Sequence, residues 1–154
     1  MSQTECASHL RSELPPVEIL AESPEHRETV LVVEDEAFVR EVTCETLESE
    51  GYRVLRARTA EEARTLFARY RKIVRLLLTD VVLPGQNGRE LAEELRTAYP
   101  ALRTIFTSGY PENAVTRLGI AQEDAFYLPK PFTADSLIRR VRAALATNVA
   151  RRSI

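Results

Sequence analysis

Long apolar runs, cysteine pairs and an excess of one charge sign are all missing from this chain. No stretch of its 154 residues stays apolar for long enough to cross a bilayer, and the opening MSQTECASHLRSE lacks the basic-then-apolar pattern of a secretory leader. The location expected is cytoplasmic, with no membrane partner. Two cysteines, Cys6 near the start and Cys44 inside a helical pattern, make neither a disulfide framework nor a metal-ligand spacing. They read as a stray thiol and a small helix residue. With 21 basic and 23 acidic side chains the formal net charge is -2, so no field of one sign is available to grip nucleic acid. His9 and His26, the two histidines, stand apart from any acidic or thiol cluster and read as solvated side chains.

What the chain does have is a short apolar run broken by one carboxylate. In LLLTDVVLPGQNG, residues 76–88, Leu76, Leu77, Leu78, Val81, Val82 and Leu83 read as a strand buried on both faces and bounded by Pro84 and Gly85. Asp80 sits inside it. An unpaired buried carboxylate costs roughly several kcal/mol, so its place is the carboxyl tip of a parallel strand, where open α/β sheets put their ligands. Asp80 is thereby marked as a reactive or ligand-binding group.

Around that run, strand and helix alternate. Residues 1–27 are rich in Glu, Ser and Pro without a sustained period and read as a mobile arm; the globular unit expected is 28–147, with 148–154 as a tail. TVLVV, residues 29–33, makes a first strand, and a helix follows on Val39, Val42, Thr43, Thr46 and Leu47 until Gly51 stops it. Residues 52–57 make a second strand. Thr59 with Glu62 forms a capping box opening a helix with Ala63, Leu66, Phe67 and Tyr70 inward. After the Asp80 strand come a helix over 88–98 on Leu91 and Leu95, a strand over 101–107, and a helix over about 111–122 opened by Pro111. A strand over 125–128 and a helix from Thr133 to about Ala146, with Leu137, Val141 and Leu145 inward, complete the unit. Short connections and right-handed crossovers make this an α/β fold: a doubly wound, five-stranded parallel sheet in the flavodoxin-like order 2-1-3-4-5, with helices on both faces.

That order collects polar residues at one edge. Glu34 and Asp35 leave strand one, Asp80 strand three, Ser108 strand four and Lys130 strand five. Three carboxylates in one crevice either hold protons or share a divalent cation, and an all-oxygen site suits Mg²⁺ best, with Mn²⁺ as a substitute. A lysine and a hydroxyl facing that cation are what a phosphoryl group needs, so the chemistry indicated is phosphoryl transfer with Asp80 as nucleophile. Each residue alone has an ordinary explanation. Glu34 and Asp35 suit a helix N-terminus, Ser108 a turn, Lys130 a solvated loop, and Tyr127 a half-buried sheet position. Their convergence on one edge favours the chemical reading.

The acidic pair in VVEDE, Asp80 in LLLTDVVLPGQNG, Ser108 in FTSGY, and Tyr127, Lys130 and Pro131 in YLPKPF together resemble the receiver domain of two-component response regulators, most closely the receivers of hybrid histidine kinases. The resemblance covers residues from about 29 to 146. It implies a phosphoacceptor rather than an enzyme: Asp80 takes a phosphoryl group from a phosphohistidine on a histidine kinase or phosphotransfer protein. By the same resemblance Glu34, Asp35, Asp80 and the carbonyl of Val82 hold Mg²⁺, and Ser108 and Lys130 contact the phosphoryl oxygens. Tyr127 turns inward as Ser108 moves, and the Lys130–Pro131 bond is cis.

Departures from the usual pattern carry expectations of their own. Glu34 replaces the more frequent aspartate, a longer arm suited to holding metal through water. Val82 and Tyr110 flank the path of hydrolytic water in such receivers, and both are bulky here, so a slow loss of label from the phosphorylated protein in Mg²⁺ buffer is expected. A half-life of seconds would contradict this. No effector module is recognisable in the sequence, and Arg139, Arg140, Arg142, Arg151 and Arg152 read as a solvated face without an aromatic platform for nucleic acid. Output by protein contact is expected through the last helices and strand five, a face that also suits a homodimer. Phe38, off the inward stripe of its helix, is a candidate for docking the phosphodonor. Two rival functions use the same fold class. A Mg²⁺-dependent phosphatase with an aspartate nucleophile needs a second acid where this chain has Val82, and a flavin carrier needs a Ser, Thr and Gly-rich phosphate loop where this chain has acids.

Overall fold

The computed structural model describes residues 28–109 and 126–146. The arm, the tail, the helix expected over 111–122 and Tyr110 lie outside them. Nine elements are described: β1 (Thr29–Val33), α1 (Ala37–Ser49), β2 (Arg53–Ala57), α2 (Ala60–Tyr70), β3 (Val74–Asp80), α3 (Gly88–Ala98), β4 (Arg103–Ser108), β5 (Phe126–Pro129) and α4 (Ala134–Ala146). The five strands are all parallel and ordered β2-β1-β3-β4-β5. Strand bounds fall within about two residues of the sequence-based expectation except at the carboxyl end of β3, which stops at Asp80 where the run through Leu83 was expected to continue.

Two cores explain why these strands carry no polar alternation. Leu31, Val33, Leu55, Ala57, Leu77 and Phe106 point to one face, where Ala63, Phe67 and Tyr70 of α2 and Leu91, Ala92 and Leu95 of α3 cover them. Val30, Val32, Val54, Leu76, Leu78, Ile105 and Leu128 point to the other, under Cys44 and Leu47 of α1 and Leu137, Ile138, Val141 and Ala144 of α4. Each fully buried leucine contributes roughly 1.5–3 kcal/mol. A strand lined on both faces must be apolar throughout.

Three details correct the sequence reading. Val82 does not extend the buried strand: β3 ends at Asp80, and Val82 is 47% exposed between buried Val81 and Leu83, because the chain turns there and only one side stays covered. On α1 the inward stripe is Thr43, Cys44 and Leu47, with Val42 44% exposed, so Cys44 is a core residue. Burial pushes its thiol up to about 12, where it is inert. At α2 the capping box is half formed. Thr59 accepts from the Glu62 N–H at 3.1 Å, but the Glu62 carboxylate takes the N–H of Arg58, at 2.7 Å, instead of that of the cap residue. The Arg58 guanidinium beside it and that amide hold Glu62 below the usual carboxylate range.

Candidate functional site

Parallel pairing fixes where the chemistry can sit. Glu34 follows β1, Asp80 ends β3, and Asp80 pairs with Thr107 just before Ser108. Ser108 in turn pairs with Pro129, one residue before Lys130. All lie at the carboxyl edge. The Lys130 backbone N–H donates to the Ser108 carbonyl at 2.8 Å, which sets the base of the lysine side chain, and the Lys130–Pro131 bond is cis.

The charged groups meet closely. Lys130 Nζ donates to Glu34 Oε1 and to Asp80 Oδ2, each at 2.8 Å. Carboxylate oxygens of Glu34, Asp35 and Asp80 lie within 4.8 Å of one another. The side chains of Glu34, Asp80 and Lys130 are only 6%, 11% and 20% exposed, so this pairing is poorly screened by solvent. Burial raises the pKa of Glu34, opposed by its bonds to Lys130 and to the Glu36 N–H. Burial works against the Lys130 ammonium, yet the hydrogen bonds and charges of Asp80 and Glu34 outweigh it and leave that pKa raised. A second charge must therefore sit among these acids, and here it is the ammonium.

Backbone contacts complete the frame. The Val82 N–H donates to Asp80 Oδ1 at 3.1 Å, so the two Asp80 oxygens have different partners. Arg40, on α1, donates to the Glu34 carbonyl at 3.0 Å and ties the acidic turn to the helix. Gly88 opens α3 against the strand tip, where an added Cβ would lie 2.1 Å from the Asp80 carbonyl oxygen. Ser108 is buried at the same edge, and half-buried Tyr127 reaches its carbonyl with the phenol oxygen at 3.5 Å. The acids, Ser108 and Lys130 thus lie at one edge, and Tyr127, two residues before the end of β5, reaches it through its phenol oxygen. Reasoning from motifs missed Arg40 and Gly88. Gly88 was visible only as a helix start, and Arg40 carries no motif that would mark it.

The chain belongs to the response regulator receiver domain family, whose model matches residues 30–142. Among its relatives is the sensor kinase CckA of Brucella abortus (strain 2308), 38% identical over 117 residues, which are 76% of this chain and 12% of that kinase. The hydrogenase transcriptional regulatory protein HoxA of Cupriavidus necator is 36% identical over 118 residues, 76% of this chain and 24% of HoxA. The chain therefore spans a small part of these relatives. Among solved structures, the receiver domain of the hybrid histidine kinase CckA superposes with a TM-score of 0.65 at 32% identity, over 76% of this chain and 98% of that one. A response regulator receiver domain protein of Clostridium thermocellum does so with 0.69 at 25% identity, over 82% and 97%. Receiver domains of this kind work with histidine kinases or phosphotransfer proteins and carry an acidic pocket, which Glu34, Asp35 and Asp80 supply here. Among the described residues, no helix is long and apolar enough to cross a membrane.

Proposed function

We propose that Asp80 is the phosphoacceptor of a two-component phosphorelay, acting in the cytoplasm and loaded from a phosphohistidine on a histidine kinase or phosphotransfer protein. The reading is supported above all by one observation: a single ammonium, Lys130 Nζ, sits 2.8 Å from both Glu34 and Asp80 at the tip of the central strand. An Asp80 oxygen attacks phosphorus, the P–O bond forms as the P–N bond breaks, and the imidazole leaves with the bonding pair. Lys130, already beside Asp80 Oδ2, follows the negative charge onto the phosphoryl oxygens. Ser108 offers its hydroxyl to another of those oxygens, and Tyr127, whose phenol reaches the Ser108 carbonyl, reports its movement to the surface. The donor set fits Mg²⁺, being all oxygen, with the carboxylates of Glu34, Asp35 and Asp80 close together: these three would hold it, and the resemblance adds the Val82 carbonyl as a further ligand. When bound, the ion supplies positive charge against the phosphoryl oxygens.

The protein then acts once per phosphoryl group received, as a switch rather than an enzyme with turnover. Phe38 is 76% exposed and, with Val39, Val42, Pro131 and Phe132, lines an apolar groove that reaches Lys130. A donor delivering phosphorus to Asp80 must cover that rim, so Phe38→Ala should slow transfer from a donor protein and leave labelling by acetyl phosphate unchanged. Equal slowing of both would remove Phe38 from docking. The central test is acid-labile, alkali-labile labelling from acetyl phosphate with Mg²⁺, in the parent and in Asp80→Asn. Label should fall to background in the variant; equal labelling would place the acceptor elsewhere.

A further inference from the structure

The loop leaving Asp80 is braced from outside itself. Residues 81–87 carry both Val82 backbone groups that the proposed site uses, the N–H on Asp80 Oδ1 and the carbonyl of the cation set. The start of the loop is tied to β4 by the Val81 N–H, which donates to the Thr107 carbonyl at 2.9 Å, and Leu83 is buried in the core. Its end is tied by Asn87, whose side chain accepts from the Glu90 N–H at 2.8 Å. Between these anchors the crest is exposed at Pro84 and Gly85, and Gly85 has φ +83, a turn that most side chains resist. Gln86 is half-buried there. Arg64, on α2, donates through Nη2 to Gln86 Oε1 and through Nε to Glu94 Oε2 on α3 at 2.8 Å. Gln86 Nε2 closes the ring on Glu94 Oε1 at 3.5 Å. Three elements meet in one hydrogen-bonded triangle.

We infer that Arg64 and Gln86 are positioning residues for the cation and phosphoryl site. An ion pair as exposed as Arg64–Glu94 adds little to global stability. Its effect is local, because it holds the crest from which the chain runs back to Val82. A carbonyl ligand has to stay within about 0.5 Å of its working position, and the tie from Arg64 to Gln86 adds a fixed point at the crest to the bonds that hold the two ends of the loop. The planar guanidinium fork fits this task because it grips two acceptors at once from a rigid helix. The inference rests on the reading of Val82 as a cation ligand.

Calorimetric titration of the full chain with Mg²⁺, alongside thermal unfolding, tests it in the parent, Gln86→Met, Arg64→Ala and the double variant. Gln86→Met keeps the side-chain volume and removes both bonds. Each single variant should bind Mg²⁺ roughly tenfold more weakly, the lower end for groups that orient ligands from outside, with an unchanged unfolding midpoint. The double variant should be no weaker than either single one, since both changes open the same triangle. Unaltered affinity in Gln86→Met while the parent binds Mg²⁺ would overturn the inference alone. So would a loss that tracks a lowered midpoint. Failure of the parent itself to bind Mg²⁺ would sink the cation reading, and this inference with it.

Discussion

At the amino edge of the sheet the chain reverses on backbone bonds between near neighbours. Gly51, at φ +98, donates to the Glu48 carbonyl while the Tyr52 N–H reaches that of Leu47, and Ile73 and Leu102 close their turns on Tyr70 and Tyr99. At the carboxyl edge the ties are side chains that cross the whole sequence, as when Lys130 reaches partners 96 and 50 positions earlier. The first edge is turned by local bonds, and its ion pairs, Arg142–Glu50 and Arg75–Glu28, are open to solvent. Its partner concentrates three acids and a lysine that the chain could leave in water. Local turns serve folding at either edge; distant charge assembled at some expense to stability is what function adds.

The sharpest way to break this contrast is Gly88→Ala. A Cβ placed 2.1 Å from the Asp80 carbonyl oxygen must push the strand tip or α3 away, so a cost of about 3 kcal/mol is expected, together with loss of labelling. Denaturant unfolding and acetyl phosphate labelling measure the two halves; a stable, fully labelled variant would show that the tip is slack. Next comes Lys130→Met in EDTA. Removing the ammonium leaves Glu34 and Asp80 facing each other, a loss of roughly 2 kcal/mol once the partial exposure of the site is allowed for. Adding Mg²⁺ should recover much of that loss, because a second cation then stands among the acids. An identical deficit with and without Mg²⁺ would separate the acids from any metal. Smallest is Gly51→Ala at the amino edge, where nothing obstructs a Cβ but the positive φ costs roughly 1–2 kcal/mol. Labelling per folded molecule should stay at the parental level, and a fall would mean that the two edges are coupled.

Much of this architecture was legible because it rests on residue types whose burial is unambiguous. TVLVV and LLLT have no polar face, so both are interior strands, and handed crossovers then leave one sheet order. The converging acids followed from that order alone. Where the reading slipped, a neighbour in space rather than in sequence decided the outcome. Val82 is as apolar as Val81, but the turn after Asp80 points it at solvent. Cys44 displaced Val42 from the inward stripe because a small side chain fits under β1 and β3, where periodicity weighs bulk. Arg64 and Gln86 stand 22 residues apart, and no pattern within a helix or loop hints that they touch.

Lys130 has one more consequence. Four methylenes separate its fixed backbone from a charge that now rests on two carboxylates, so the ammonium can be handed to arriving anions by bond rotation alone. Under the proposed function, once the phosphoryl group has left Asp80 the return of the ammonium to its carboxylates asks only for side-chain motion, on the nanosecond scale of rotamers rather than that of domain movement.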